Sequence, residues 1–513
     1  MRRLLSATGL LALAAIGLAT AWAVPFTAGS LVQVSGASPF ASCTADNAAG
    51  QPGTVFPDSE VEPFIAANPI TPLNVVGIWQ QDRWSNGGAR GNVAGTSFDG
   101  GETWLSVPLP GVTKCTGGEF DRASDPWVTF APNGDLYAMS LVLDIEAPPG
   151  KPGGFGRNGM MVSKSTDGGL TWSTPILIAE NTRGDLHDKN SITADPTDPN
   201  VVYAVWDFLD LPEGATINPD RGIFGGGLGF KGAALISRTT DRGLTWEAPR
   251  VLYNPGGVNQ TIGNQIVVTP DGTVINLFNE ILNFRNDDGG SQFDFNLSLK
   301  RSTDKGVTWM PRGRPIRAAK MFPRGVRDPE TGDPVRTGDV IPDVAVDPLS
   351  GALYAVWMDA RFSGGQHDSI AFAQSLDGGF AWSGPIKVNA TPTGIPSGNQ
   401  QAFTPSVHVA ADGTVAVTYY DFRNNDAAAD LKTDYFVVHC HPLTATACAA
   451  AANWGNEKRL TDTSFDMRQA PFAVGFFVGD YEGLASDGPD FLAFFSQPHG
   501  FDPSSVFFRR VGP

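Results

Sequence analysis

The chain has 513 residues, a formal net charge of −17 at neutral pH, and a charged fraction of only 17%. This acidic balance argues against nucleic acid or an anionic membrane as a partner. The 60 glycines, 39 prolines and 12 tryptophans favour short strands, tight turns and aromatic anchors, and therefore an all-β fold.

The first residues predict export. Arg2 and Arg3 precede an apolar run that ends in Ala21-Trp22-Ala23, the pattern of a secretory signal peptide over residues 1–23. We therefore expect a secreted, extracellular protein. No later segment has the 18 or more apolar residues that a membrane span requires, so we expect no membrane insertion, and we expect a monomer.

Four cysteines in an exported chain predict two disulfides. Locality favours the pairs Cys43–Cys115 and Cys440–Cys448. A zinc site is an alternative for the second pair, because His439 and His441 flank Cys440; the oxidising compartment favours the disulfide.

One octapeptide recurs five times with the pattern Ser/Thr-x-Asp-x-Gly-x-Thr-Trp. Its aspartate can close a turn by accepting backbone N–H groups, its glycine permits positive φ, and its tryptophan supplies an apolar anchor. Short apolar strands flank each copy, so each octapeptide is predicted to be a hairpin turn and a scaffold element. The copies lie at 97–104, 165–172, 239–246, 302–309 and 375–382, with aspartates Asp99, Asp167, Asp241, Asp304 and Asp377.

A second hairpin pattern precedes each octapeptide, giving four-stranded units with strands A to D. Such repeats predict a β-propeller of antiparallel blades. Seven units favour seven blades over six; the last lacks a fourth strand, which an N-terminal strand near Leu31–Val34 could supply to close the ring. The predicted domains are an N-terminal segment, 24–59, and a propeller, 60–513. The units start at 63, 126, 191, 265, 342, 405 and 483.

The octapeptide resembles the Asp box of the sialidase superfamily, and the chain resembles bacterial secreted BNR/Asp-box propeller proteins over roughly 60–510. The resemblance implies a sialidase-like glycosidase. Sialidases are expected to have six blades, three arginines that grip the sialate carboxylate, a Tyr–Glu nucleophile pair, an aspartate acid/base and an arginine in the first blade. Here the first-blade motif reads Glu62-Pro63-Phe64-Ile65, without arginine.

The topology separates two faces. The A–B and C–D turns, including the Asp boxes, share one face, so the B–C and D–A loops form the other, where propellers commonly bind ligand. Polar residues concentrate in those loops. They include Arg83, Asp359, Arg361, Asp421 and Arg423 after strand B, and Asp121, Arg122, His187-Asp188-Lys189, Asp480, Tyr481 and Glu482 before strand A.

Two carboxyl groups can cleave a glycosidic bond, one as acid and one as nucleophile or base. We therefore take Asp480, Tyr481, Glu482 and Asp121 as candidate catalytic residues. Arginine forks suit anionic groups, so the candidate substrate-binding residues are the arginines and aspartates of the same face. These are Arg83, Arg122, Arg361, Arg423, Asp359 and Asp421.

The expected ligand is a carbohydrate. A glycoside hydrolase is the first hypothesis; a non-catalytic propeller that binds glycan or protein is the alternative, predicting Asp–Arg pairs that satisfy one another, and a structural cell-surface role is a third. No cofactor or catalytic metal is expected. The run Asn286-Asp287-Asp288-Gly289 is either a plain turn or a structural calcium site.

Overall fold

The computed structural model describes residues 25–146, 155–210, 231–285, 291–442 and 444–513. The predicted signal peptide (1–23) and the candidate calcium turn (286–289) lie outside these described residues. In the described part of the chain, no helix is long and apolar enough to cross a membrane.

The fold is all-β, as predicted, and is built from successive sets of antiparallel strands. The chain begins with two short strands and then forms four sets of four, each paired in chain order. These are β1 (Thr27–Ala28), β2 (Val32–Gln33); β3 (Glu60–Ala67), β4 (Val75–Arg83), β5 (Ala89–Ser97), β6 (Leu105–Pro108); β7 (Arg122–Phe130), β8 (Leu136–Leu143), β9 (Asn158–Ser165), β10 (Ile176–Asn181); β11 (Leu186–Ala194), β12 (Val202–Asp210), β13 (Lys231–Thr239), β14 (Arg250–Tyr253); β15 (Gln260–Val268), β16 (Val274–Arg285), β17 (Ser291–Ser302) and β18 (Ile316–Met321).

The second half continues the pattern with two more sets of four and a last set of three. They are β21 (Asp343–Val346), β22 (Leu353–Asp359), β23 (Ser369–Ser375), β24 (Ile386–Lys387); β25 (Ala402–Val409), β26 (Val415–Asp421), β27 (Lys432–Cys440), β28 (Gly455–Arg459); and β31 (Gly483–Asp487), β32 (Asp490–His499), β33 (Asp502–Gly512). The remaining strands are β19 (Val326–Arg327), β20 (Pro334–Arg336), β29 (Phe465–Asp466) and β30 (Phe476–Phe477). Short 3₁₀ helices occur at Ala48–Gly50, Lys114–Thr116, Ala360–Ser363, Ser397–Gln400, Ala447–Ala449, Ala451–Asn453 and Met467–Gln469.

The first strands of the seven sets contact one another in chain order, and β3 also contacts β31 of the last set. The N-terminal strands pair antiparallel with β33, with Thr27 opposite Gly512 and Val32 opposite Phe508. The two ends of the described chain therefore meet in one sheet.

The core lies between neighbouring sheets. Trp79, Trp206 and Trp357 occupy similar places on the second strands of three sets, and each is fully buried. Because the sheets are covered on both faces, a second strand such as β22 is buried along its whole length. Burial of such aromatic side chains supplies much of the driving force for folding.

The five Asp boxes form the turns between third and fourth strands, as predicted. Asp99 Oδ1 accepts from Thr103 N (2.9 Å) and Ser97 Oγ (2.8 Å). Trp104 packs against Phe494 and Phe508 of the last set, so the tryptophan joins neighbouring sheets. An Asp box can also contact the A–B turn of the preceding set. Asn74 Nδ2, in the A–B turn of the first set, donates to Gly168 O, in the Asp box of the second set, at 3.1 Å.

Both predicted disulfides are confirmed, Cys43–Cys115 and Cys440–Cys448. The zinc alternative for Cys440 and Cys448 is therefore wrong, because sulfurs joined in a disulfide are not thiolate ligands.

A small three-stranded sheet, which we call the cap, consists of β19, β20 and β30. Its strands come from the connections that precede β21 and β31, and β20 pairs parallel with β30. Arg468 binds Asp328 through two nitrogens at 2.6 and 2.9 Å, and this ion pair ties the two connections together. The cap brings residues that are far apart in the sequence to the N-terminal ends of the first strands.

Candidate axial site

Lys189 lies at the centre of a buried cluster of charges. Its Nζ donates to Glu62 Oε1 at 3.1 Å and lies 3.0 Å from Asp125 Oδ1 and 3.3 Å from Asp480 Oδ2. All four side chains are at most 9% exposed. Three sets of strands, the connection before β31 and the cap thus contribute to one site, which we call the axial cluster: Glu62, Asp125, Lys189, Asp480 and Arg336.

Arg336 enters this cluster from the cap. Its guanidinium donates to both carboxylate oxygens of Asp480 and stacks over the ring of Phe477, 4.3 Å from the centroid. Arg83 lies over the same ring at 4.9 Å. Its Nη1 donates to Gln80 Oε1 at 2.6 Å. Two arginines therefore share one aromatic ring above the cluster, and one of them is tied to Asp480.

The pKa values of Glu62 and Asp480 are shifted in opposite directions. Burial raises the pKa of Glu62 to about 7, although Lys189 opposes the shift. Burial also disfavours the charge of Asp480, but Arg336 and Lys189 outweigh burial and hold its pKa well below the usual range. For Lys189, the carboxylates Asp125, Glu62 and Asp480 overcome the effect of burial and raise its pKa.

The backbone is strained at the same place. The first strands β3, β7, β11, β15 and β25 each contain a bulge whose residue has positive φ. Glycine would fill such a position without strain, as Gly263 does. The other four positions carry side chains. They are Glu62 (φ 54°), Asp125 (φ 45°), Lys189 (φ 43°) and Thr404 (φ 48°).

Strain of this kind persists where the surrounding structure over-determines it, and it clusters at functional sites. Three of the four strained side chains belong to the axial cluster. Their placement at these bulges therefore points to a functional site at the N-terminal ends of the first strands.

The space beside the cluster is small. A cavity of about 10 Å³ lies between Asp480, Tyr481, Glu482, Asp343 and Thr404, among other residues. That volume holds about one water molecule. Of the axial cluster only Asp480 lines this cavity, and the site is closed in this structure by the burial of its own side chains, since those of Glu62, Asp125 and Lys189 are also at most 9% exposed.

Tyr481 and Glu482 lie next to Asp480, but their polar atoms point elsewhere. The Tyr481 hydroxyl donates to Pro126 O at 3.0 Å, and its ring packs against Trp127. Glu482 Oε2 accepts from Ser496 N at 3.0 Å, and burial raises its pKa well above the usual value. Asp480 is the one carboxylate of the predicted triplet that pairs with Lys189 and Arg336, and the Tyr481 ring lies beneath the Lys189 ammonium, which is 4.8 Å from the ring centroid.

Asp121 and Arg122 make contacts outside the axial cluster. Asp121 pairs with Lys114 at 2.5 Å and accepts from Ile145 N. The Arg122 guanidinium stacks on Trp84, 3.9 Å from the ring centroid. It also donates to side-chain and backbone oxygens of the N-terminal segment and the B–C loop of the first set.

The predicted Asp–Arg pairs after the second strands satisfy one another. Asp359 accepts from the Arg361 side chain at 2.8 Å, and Asp421 accepts from Arg423 at 2.7 Å. Arg423 also binds Glu457. This arrangement is the one expected of pairs that stabilise the sheets.

Glu62, Asp125 and Arg336 are absent from the residues that the sequence places on the ligand-binding face, and Lys189 appears there only as one polar residue among many. One signal was present: Glu62-Pro63, Asp125-Pro126 and Thr404-Pro405 occur at the same place in three first strands. Proline disfavours the right-handed helical region for the residue before it, so a proline repeated at the same place in three first strands marks a restricted backbone. Arg336 carries no such signal, because it lies on a connection outside the repeat.

No family model matches the chain, and no curated protein matches it. Among solved structures, the chain is similar to the Hadza microbial sialidase Hz136 at 14% identity, with a TM-score of 0.44 over 86% of this chain and 74% of that one. It is also similar to a Penicillium chrysogenum α-L-arabinanase complexed with arabinobiose, at 11% identity and a TM-score of 0.44 over 94% and 98%. A Trypanosoma rangeli sialidase in complex with sialic acid matches at 12% identity, with a TM-score of 0.39 over 79% of this chain and 55% of that one. Structural matches to sialidases and arabinanases thus extend over most of the chain.

Proposed function

We infer that the seven sets of strands form a closed seven-bladed propeller. The cyclic contacts of the first strands and the pairing of β1 and β2 with β33 support this closure. The propeller then comprises residues 60–513, and segment 24–59 supplies the closing strands. Two disulfides support an oxidising, extracellular location.

We propose that the protein is a secreted glycoside hydrolase whose active site is the axial cluster. One observation carries the proposal: Glu62 and Asp480 contact the same ammonium group, yet their environments move their pKa values apart. A carboxyl group that keeps its proton near neutral pH, beside one that stays ionised, is the pairing that glycoside hydrolysis requires.

In this proposal Glu62 is the general acid and Asp480 is the ionised partner. Glu62 donates a proton to the glycosidic oxygen, and Asp480 acts as nucleophile or as the base that activates water. Their oxygens lie 3.1 and 3.3 Å from Lys189 Nζ, so these two oxygens are at most about 6.4 Å apart, a limit that permits the ~5–5.5 Å separation of retaining glycosidases. Lys189 holds both groups in place.

The charges of the site favour a neutral sugar over sialic acid. Glu62, Asp125 and Asp480 face Lys189 and Arg336, so the cluster has no excess of positive charge. The guanidinium of Arg336 is paired with Asp480, and that of Arg83 donates to Gln80 through Nη1. Among the candidate residues of this face, no set of three arginines is free to bind a sialate carboxylate.

A non-catalytic binding propeller is the second candidate, and the closed site favours it. The cavity holds about one water molecule, and the pairs Asp359–Arg361 and Asp421–Arg423 are engaged with each other. A binding protein needs no vacant space between its carboxyl groups, whereas the hydrolase requires the cap to move when a glycan enters.

The two candidates separate in one experiment. The purified mature protein is incubated with a panel of neutral and sialylated oligosaccharides, and both binding and released reducing ends are measured. We expect release from a neutral oligosaccharide. Binding without release from any member would overturn the hydrolase and support the binding propeller.

A further inference from the structure

A groove lies at the outer edge between the third and fourth sets of strands. It has a volume of about 460 Å³, inside the range of ~300–1,000 Å³ typical of small-molecule sites. The groove runs beside β14 and beside the segment that follows the Asp box of β17. We call it the outer groove. Its lining residues are Val251, Leu252, Tyr253, Asn254, Pro255, Lys300, Trp309, Arg312, Gly313 and Arg314.

The outer groove is basic in an acidic protein. Lys300, Arg312 and Arg314 line it, and none of its lining residues is acidic, although the chain carries a net charge of −17. Arg312 and Arg314 are exposed. Within the described part of the chain, no ion pair or hydrogen bond engages either guanidinium. Two planar donors are therefore available to an anion.

The groove is organised by the third cation. Lys300 is buried, lies 4.6 Å from the centre of the Tyr253 ring and donates to Pro311 O at 2.7 Å and to Gly313 O. The backbone that carries Arg312 and Arg314 is thus fixed to the sheet by a buried side chain. Tyr253 is fixed in turn, because its hydroxyl donates to Glu280 Oε1 at 2.5 Å.

The groove combines cations with a hydrophobic wall. Val251 is 57% exposed and Trp309 is partly exposed, whereas Tyr253 is only 8% exposed and lies under Lys300. The Trp309 ring offers a flat apolar surface to the C–H face of a sugar, and the arginine forks match carboxylate or sulfate groups. A free anion would use only the cations, whereas an acidic oligosaccharide would use both features.

We propose that the outer groove is a second carbohydrate site that binds an acidic oligosaccharide carrying carboxylate or sulfate groups. The site goes beyond the proposed hydrolase, because it lies on a different part of the propeller. Its positive charge selects acidic glycans, which the axial cluster does not favour because it has no excess of positive charge. The outer groove would hold an acidic polysaccharide at the surface of the protein.

Binding of a galacturonate hexasaccharide tests this proposal by calorimetry at 50 and 200 mM NaCl. Neutral maltohexaose and inorganic sulfate serve as comparison ligands. In the double variant Arg312→Gln/Arg314→Gln we expect at least a tenfold loss of affinity for galacturonate. We also expect the affinity of the native protein to weaken at the higher salt concentration.

The matched control is Arg183→Gln/Lys458→Gln, which changes the net charge equally at two exposed positions outside the groove. It should bind as the native protein does, and thermal unfolding should show that both double variants fold. Equal losses in the two variants, undiminished binding in the groove variant, or sulfate binding as tight as galacturonate binding would each overturn the proposal. Hydrolysis at the axial cluster is measured separately, so failure of one proposal does not imply failure of the other.

Discussion

Arg336 and Asp480 are joined by two hydrogen bonds across 144 residues of sequence. Arg336 lies at the end of β20 in the cap, and Asp480 precedes the first strand of the last set. Their ion pair links the cap to the ends of the first strands, and Lys189 extends the link to Glu62 and Asp125. The cover of the site and its charged groups therefore form one connected network.

Removal of Lys189 should be costly. In Lys189→Met, three buried carboxyl groups lose their shared cation, and breaking a buried ion pair from one side costs about 3–5 kcal/mol. We expect a loss of that order in the free energy of unfolding at pH 7, measured by denaturant titration. The control is Lys320→Met, which removes a lysine whose side chain is 61% exposed and pairs with Asp294; it should cost at most about 1 kcal/mol. Equal costs in the two variants would contradict the role of Lys189.

Stability should depend on pH through Glu60. Burial raises the pKa of Glu60 to about 8 from 4.5, so between these values the folded chain binds a proton that the unfolded chain has released. Stability from this group therefore falls as the pH rises from about 4.5 to about 8 and is level above that range. In Glu60→Gln this part of the slope should disappear, a change on the order of 5 kcal/mol in the free energy of unfolding across that range. A slope identical to that of the native protein would refute the assignment.

The Asp boxes should differ in their contribution to stability. Asp304 accepts from both N and Oγ1 of Thr308, whereas Asp377 faces Ala381 and accepts only its backbone N–H at that position. We expect Asp304→Ala to lower the free energy of unfolding by about 1–2 kcal/mol and Asp377→Ala to lower it by less. Neither change should affect turnover, because both turns lie away from the axial cluster. A larger cost for Asp377→Ala would contradict this view of the turn.

The two disulfides should also be unequal. Cys43–Cys115 spans 72 residues and Cys440–Cys448 spans 8. In the chain-entropy account, removal of the longer link by paired serine substitutions costs about 4 kcal/mol and removal of the shorter about 2.5 kcal/mol. Thermal unfolding of the two paired variants gives the order directly, and the reverse order would contradict it.

The repeats in the sequence predicted most of the fold. The Asp-box aspartates appear as turns between strands, both disulfides are present, and a strand near Leu31–Val34 pairs with the last long strand. These features are local or periodic, so a pattern of residue types is enough to reveal them.

The axial cluster was predicted only in part. Asp480 was chosen because it lies on the loop face, but the same reasoning chose Arg361 and Arg423, whose pairs with Asp359 and Asp421 are complete in themselves. Loop position alone does not show which side chains converge. That depends on the bulges at Glu62, Asp125 and Lys189 and on the cap that carries Arg336, and these are tertiary features.

The most direct test of the proposed hydrolase compares two substitutions on one strand. Glu62→Gln removes the proposed general acid, and Glu60→Gln changes a buried glutamate two residues away that lies outside the axial cluster. On a neutral oligosaccharide that the native protein cleaves, we expect kcat/KM to fall at least about 100-fold in Glu62→Gln, as loss of general acid catalysis predicts, and to change less than about twofold in Glu60→Gln. Full activity in Glu62→Gln, with the variant folded, would contradict the account.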